Sequence, residues 1–368
     1  MYIVGCCQIM EKKLRIGIVG LGGIGMGTHA RSYHLFKKLK NRVEIVGVCD
    51  LIEERAQGAK DKYFPNAKVY TDYKEMLKNP DIEAVDICTP NYMHSVIAVD
   101  AFAAGKHVFC EKPDAVSPEE QMKMKKASEE SGKLLMVMRN NRFCPSSMVL
   151  KQYIDAGNMG EVYAGRCGWV RRRGIPGKGG WFTTKEKSGG GPLIDLGVHM
   201  IDLAIWLMGN PTPVAVSGST YCKFADIASS DSKNSTFGDA VADGIFDVED
   251  LAIGFIKFDN GASLQIEFSW ASNIKKEHRF VELRGTKAGV NWYNARAEVF
   301  SEENGKLTNK KLKTGIKFPE GHPGNLINFV EVLLDGAKPV YEPQQGQDMI
   351  KILSAIYESA RTGREVVL

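Results

Sequence analysis

From Leu14 to Met138 the chain alternates short, almost wholly apolar runs with mixed segments. The apolar runs are Leu14–Val19, Val43–Cys49, Val69–Tyr70, Ala84–Cys88, His107–Cys110 and Leu134–Met138. Such runs, too short for helices and without polar alternation, read as strands buried on both faces. Between them lie helical stretches, among them a short one through Met76 and Leu77 and a longer one from Ser95 to Ala104 closed by Gly105. Repeated strand–helix units predict a parallel sheet with helices on both sides. Beyond residue 139 the texture changes. Val162–Cys167 is strand-like, and Leu251–Asp259 with Gly261–Trp270 forms a hairpin pattern turning at Asp259-Asn260-Gly261. Phe280–Leu283 and Gly289–Asn291 continue it, whereas residues 223–244 are polar and read as a long surface loop, with a lid or oligomer arm as the alternative. Residues 346–362 carry apolar side chains at helical spacing and are expected to pack back on the first unit. The pattern divides the chain into a first domain, 11–138, and a second, 139–345.

The first apolar run ends in Gly20-Leu21-Gly22-Gly23-Ile24-Gly25, a G-x-G-x-x-G between a strand and a helix-like segment. The first glycine permits the tight turn, the second lets a pyrophosphate approach the backbone, and the third lets helix and strand pack closely. The second run ends in Asp50, placed to bond the adenosine ribose hydroxyls and repel a 2′-phosphate. Leu51 and Ile52 follow it instead of a base, which argues for NAD over NADP. Ligands of such sheets collect at the carboxyl ends of the strands, where Asp50, Thr89, Asn91 and Lys112 fall.

A second chemistry-bearing stretch runs from Gly189 to Asp202. If Pro192 opens a helix, Asp195 and His199 stand on one face with Cβ atoms roughly 5–6 Å apart. The imidazole can then move a proton, and the carboxylate can orient it or bond a substrate. A plain helix start with a first-turn acid and a core histidine is the competing account. Asp202 is a supporting partner or an ordinary helix residue. Lys112, at a strand exit, is suited to polarise a developing carbonyl. Asn140, Arg142, Trp181 and His322 are further substrate-binding candidates, with Tyr92 and Arg171 behind them.

Composition narrows the field without deciding it. The 368 residues are 43% apolar and 25% charged, with a net charge of +4. A balance so near neutral implies neither nucleic acid nor an acidic membrane as partner. The one compact basic run, Arg171-Arg172-Arg173, reads as a solvated loop before a phosphate patch. Eight scattered cysteines show no zinc-ligand spacing, so no metal is expected, and a reducing cytoplasm fits them. The first ten residues make a poor signal peptide, Met10 looks like a natural start, and residues 1–9 read as an arm.

Taken together, Gly20–Gly25, Thr89-Pro90-Asn91 with His94, Glu111-Lys112-Pro113, Arg142-Phe143-Cys144-Pro145 and Gly189–Asp202 resemble the Gfo/Idh/MocA oxidoreductases. The resemblance covers nearly everything from Leu14 to Leu368. It implies a catalytic trio of Lys112, Asp195 and His199, and NAD contacts at Gly20, Gly22, Gly23, Ile24, Gly25, Asp50, Thr89, Pro90, Asn91, His94, Glu111 and Lys112. It further implies a Rossmann domain followed by an α+β domain on a large open, mainly antiparallel sheet, assembled as a homo-oligomer (dimer, tetramer or higher). The implied reaction is hydride transfer between NAD and a secondary hydroxyl of a sugar, inositol or glycoside, with sugar C3 as a narrower form. An NAD-dependent glycosidase and a non-catalytic sugar or NAD sensor are the alternatives.

Overall fold

The computed structural model describes residues 12–226, 237–314 and 321–368. The expected arm of residues 1–9 and the middle of the 223–244 loop lie outside them. Six parallel strands form the first sheet: β1 Leu14–Val19, β2 Val43–Cys49, β3 Lys68–Tyr70, β4 Ala84–Ile87, β5 His107–Cys110 and β6 Leu135–Val137. Their order, β3-β2-β1-β4-β5-β6, reverses direction beside β1. That crevice is where a doubly wound sheet binds a dinucleotide.

The turn after β1 is shaped by contact. Gly20 has φ +90° and lies against the backbone of Cys88, and a Cβ on Gly25 would sit 2.0 Å from the Gly20 carbonyl oxygen. A Cβ on Gly22 would meet nothing within 4 Å, so the ground in front of it is open. The helix that follows begins as a π-helical stretch, Gly25–Ala30, whose wide turns carry His29 into the interior.

The second sheet has nine strands: β7 Val162–Val170, β8 Pro213–Tyr221, β9 Leu251–Phe258, β10 Ser263–Ser269, β11 His278–Gly285, β12 Ala288–Tyr293, β13 Arg296–Glu303, β14 Lys306–Lys311 and β15 Val366–Val367. Their order is β14-β13-β12-β11-β7-β10-β9-β8-β15, antiparallel except where β10 runs beside β7. The predicted hairpin is β9–β10, in register from Ser263 opposite Lys257 to Ser269 opposite Leu251. The inner face of this sheet carries Cys167, Val281 and Trp292 and is covered by the helix α1, Val198–Leu207.

Two helices break the expected division of the chain. The helix α2, His322–Asp335, falls within the stretch assigned to the second domain, yet Leu326, Ile327, Phe329 and Val330 join the first core. The last helix, α3, Pro343–Thr362, was expected on the first domain but places Met349, Ile350, Ile352, Leu353 and Ile356 in the second core. Only its start leans on the first domain, where Gln347 Nε2 donates to the Pro118 carbonyl at 3.5 Å. Residues 185–207 are long and apolar enough to cross a membrane, but 78% of their most apolar 18-residue stretch is buried inside the protein.

Gly25→Ala should destabilise the protein by about 1–3 kcal/mol, because the added methyl overlaps backbone that has no room to give. A thermal melt of the variant with and without NAD would check this, and an unshifted melting temperature would contradict the packing described.

Candidate active site

Glycine run and buried acid together aim the segment that carries Asp195 and His199. Gly190 lies against the Tyr357 ring, and a Cβ on Gly191 would come within 2.0 Å of the Glu249 carbonyl. Glu249, buried, accepts the N–H groups of Gly191 (2.9 Å) and Leu193 (3.0 Å) and the Tyr357 hydroxyl (2.9 Å). It thereby caps, from a distant strand start, the free donors of a helix beginning. That helix opens as a π-helical turn, Leu193–Gly197, and continues as α1.

Asp195 sits in the π-helical turn and His199 in the first turn of α1, and the wide geometry sends their side chains to different partners. Lys112 Nζ donates to Asp195 Oδ1 at 2.8 Å and to the Asp195 carbonyl at 3.1 Å, and Trp270 Nε1 donates to Oδ2 at 2.9 Å. Both carboxylate oxygens are committed, so Asp195 orients Lys112 and not, as one expectation had it, the imidazole. Burial alone would raise the Asp195 pKa, but Lys112 and then Arg171 bring it down to about 2. No described residue hydrogen-bonds the His199 ring, which lies 5.9 Å from the Trp169 ring. Burial, then the Lys112 ammonium, holds His199 well below its ordinary pKa.

Lys112 comes from the loop after β5, so this ion pair joins the two domains. A narrow recess beside it is lined by Lys112, Met138, Asn140 and His199. Asn140 Oδ1 is buried without a partner among the described residues.

Other candidates turn elsewhere. Arg142 is buried, with Nε and Nη2 on Asp202 at 2.9 and 2.6 Å and Nη1 on the Val340 carbonyl and Gln345, so it is removed from substrate contact. Asp202 also pairs with Arg139 at 2.8 Å, and Arg139 reaches Asp114 at 2.5 Å. Glu111 faces inward: Oε1 takes His29 Nε2 at 2.8 Å and Oε2 takes the Lys112 N–H at 3.0 Å, so its side chain is held within the protein and fixes the Lys112 backbone. His94 spans the Pro113 (2.7 Å) and Thr89 (2.9 Å) carbonyls and ties two strand-end loops together. Asn91 donates to the Ser188 carbonyl at 2.8 Å, another link between domains. Trp181 stacks on Phe182 at 3.8 Å, away from the imidazole; the aromatic beside His199 is Trp169. His322 borders the site through Glu111, 3.8 Å away, and burial pushes its pKa down to about 4.

His29, Asp86 and Cys88 cluster tightly enough to suggest a metal site. The hydrogen bonds argue against that use. His29 Nδ1 meets Asp86 at 2.8 Å and Nε2 meets Glu111, so both nitrogens donate and no lone pair is left. Burial opposes the charge, but Asp86 holds the His29 imidazolium well above its ordinary pKa.

The dinucleotide side fits its expected ligand. Asp50 Oδ2 accepts the Leu21 N–H at 2.7 Å and Oδ1 that of Ile52 at 2.9 Å, which sets the carboxylate at the mouth of the glycine turn. Leu51 beside it is 89% exposed, an apolar surface suited to a flat base, and Thr89 Oγ1 is buried without a partner. Residues 237–244 of the second domain reach this edge, with Phe237 near Gly23 and Asp239 paired to Arg55 at 3.1 Å. No sequence signal marked Phe237, Asp239, Glu249, Arg139 or Trp270, because each acts across a contact between distant segments.

Fold and site thus define a two-domain oxidoreductase with a Rossmann dinucleotide domain. A family profile described as "Oxidoreductase family, NAD-binding Rossmann fold" matches residues 14–139, and the "GFO/IDH/MocA C-terminal domain" matches residues 148–291. The chain belongs to the Gfo/Idh/MocA family. It is 33% identical to D-glucoside 3-dehydrogenase of Escherichia coli K12 over 97% of this chain and 98% of that one. It is 40% identical to inositol 2-dehydrogenase of Salmonella typhimurium over 40% and 43% of the two chains. In fold it is similar to levoglucosan dehydrogenase in complex with NADH and levoglucosan, with a TM-score of 0.82 and 23% identity over 97% of this chain and 99% of that one.

Replacing Asp202 with Asn leaves two buried guanidinium groups without their shared anion, and should cost about 3–5 kcal/mol of stability. Denaturant unfolding would measure it; a loss below about 1 kcal/mol would show that the pair is not isolated from water.

Proposed function

We propose that this protein is an NAD-dependent dehydrogenase acting on a secondary hydroxyl of a sugar, inositol or glycoside, with C3 of a glycoside as the favoured position. The observation that carries the reading is the junction of Lys112 and Asp195 at 2.8 Å, with His199 beside it and the glycine turn on the same edge of the first sheet. Relatives named for glucoside and inositol oxidation support the substrate class.

Bound NAD supplies the hydride acceptor. The chain's own groups do the rest. Lys112 has three N–H donors, of which two are held by Asp195, so one is left for the substrate oxygen. His199, kept neutral at neutral pH by its depressed pKa, accepts the hydroxyl proton as the hydride leaves carbon and the carbonyl forms. The Lys112 ammonium stabilises the negative charge that gathers on that oxygen. Asn140 Oδ1 can accept from a neighbouring hydroxyl and fix the ring's orientation. Asp50, by charge, favours NAD over NADP.

The outward face of the second sheet supports the expected homo-oligomer. Strand alternation puts Arg166, Ile253, Phe280, Tyr293 and Phe300 on that face, and Ile253, Tyr293 and Phe300 remain exposed. The free cysteines among the described residues agree with a cytoplasmic setting.

Lys112→Met and His199→Asn should each lower turnover by about 10²–10⁴-fold while NAD affinity changes little. Sustained NADH production from a panel of polyols, free sugars and glycosides tests the reaction itself. NADH that appears once and is then consumed would point to a glycosidase cycle. The acid limb of kcat/KM should lie below pH 6.5, because a base of lowered pKa stays unprotonated to lower pH; a limb above 6.5 would remove His199 as the base. Asp50→Ser should reduce the preference for NAD over NADP by about tenfold or more, read from the two kcat/KM values.

A further inference from the structure

The basic run Arg171-Arg172-Arg173 starts where β7 ends, and only Arg172 is fully exposed. Arg171 is pinned by its backbone: its N–H donates to the Ser269 carbonyl at 3.0 Å, and its carbonyl accepts from Ser269 Oγ at 3.2 Å and Ser272 Oγ at 2.9 Å. Both serines are buried. Two residues before it along the strand, Trp169 points to the same face, the one that meets His199. The Arg171 guanidinium lies 5.2 Å from the Trp169 ring centre. Arg279, opposite Trp169 on β11, lies 5.2 Å from the same ring.

Among the described residues neither guanidinium has a carboxylate within ion-pair distance. Arg171 donates only to the Gly174 carbonyl, at 3.2 Å, and Arg279 makes ring contacts with Trp169 and Trp292. The other buried arginines, Arg139 and Arg142, each hold a carboxylate. Burial accordingly draws the Arg171 pKa down, with Asp195 and Glu277 offsetting it only from a distance. A preorganised, partly desolvated guanidinium without its own anion is matched to one brought by a ligand, because its planar fork bonds carboxylate or phosphate oxygens in pairs.

We propose, building on the dehydrogenase reading, that Arg171, backed by Arg279, forms a subsite for an anionic substituent of the substrate, so that the preferred sugar is acidic. The anion is either a carboxylate on the sugar ring or a phosphate on its anomeric oxygen; both present oxygens to the same fork. Neutral polyols then lack the group for which this part of the cleft is built.

The test compares methyl β-D-glucoside, methyl β-D-glucuronide and glucose 1-phosphate. Binding to the enzyme–NADH complex is followed by calorimetry and turnover by NAD reduction, for the wild type and Arg171→Met. At least one anionic ligand should bind about tenfold or more tightly than the neutral glucoside, and Arg171→Met should bring that ratio near one. Which anionic ligand wins locates the charge on the ring or at the anomeric oxygen. Arg171→Lys keeps charge without the fork and should give an intermediate ratio, which guards against a folding defect in the methionine variant. A ratio near one in the wild type, or one that survives in Arg171→Met, overturns the subsite. An Arg171-dependent preference with no oxidation of any ligand keeps the subsite and removes the dehydrogenase reading; oxidation without the preference does the reverse.

Discussion

Asp202 holds two guanidinium groups in a place from which water is excluded, and the geometry of the cleft depends on that contact. Arg139 extends from Asp202, one turn beyond His199, to Asp114, two residues beyond Lys112. The helix that carries the proposed base and the loop that carries the proposed polarising group are therefore tied to one rigid, planar cation. Tyr341 closes the chain by donating to Asp114 at 2.6 Å, with the Arg139 guanidinium 5.0 Å from its ring centre. Breaking such a network strands buried charge, so its members keep a single arrangement. The result is that the two side chains proposed to be catalytic, from different domains, line one recess without any direct bond between them.

A second buried network sets the charge around Lys112. Asp86, the His29 imidazolium and Glu111 form a line of alternating sign, and Glu111 ends it on the Lys112 backbone. Glu111 thus supports the lysine from behind while Asp195 and Trp270 hold it from the other domain. His199, by contrast, has no hydrogen-bond partner among the described residues, and burial with the Lys112 ammonium outweighs the pull of Asp195 and Glu111, so its pKa is lowered. One cleft therefore contains a fixed ammonium and a free imidazole, which is the division of labour that a hydroxyl oxidation needs.

Much of this was legible in the order of residues. The six strands of the first sheet are near-continuous apolar runs, because both faces are covered and no polar alternation is required. The β9–β10 hairpin was visible through its Asp-Asn-Gly turn. The strands β13 and β14 were not: Lys306–Lys311 is an edge strand that is polar or charged at every position but Leu307, as suits an exposed edge, and so it carries no apolar pattern. The first-core helix α2 was misassigned because its apolar stripe states that it is buried without stating against what. Arg142 and Glu111 illustrate the same gap at the site. Each is a strong candidate by motif, and each is spent on a buried partner, Asp202 or His29, that lies far away along the chain.

By itself the sequence determined the local chemistry: a glycine turn open at Gly22, an acid at Asp50, a lysine at a strand exit, and an aspartate and histidine four residues apart. These follow from backbone sterics and strand–helix periodicity, which act over a few residues. Only the tertiary structure decided which of these groups face each other. It turned Asp195 away from His199 and toward Lys112, because a π-helical turn separates their directions and a cation from the other domain offers the stronger contact. It also left Arg171 near that pair without a carboxylate of its own among the described residues, a property of the space around a side chain that no spacing along the chain records.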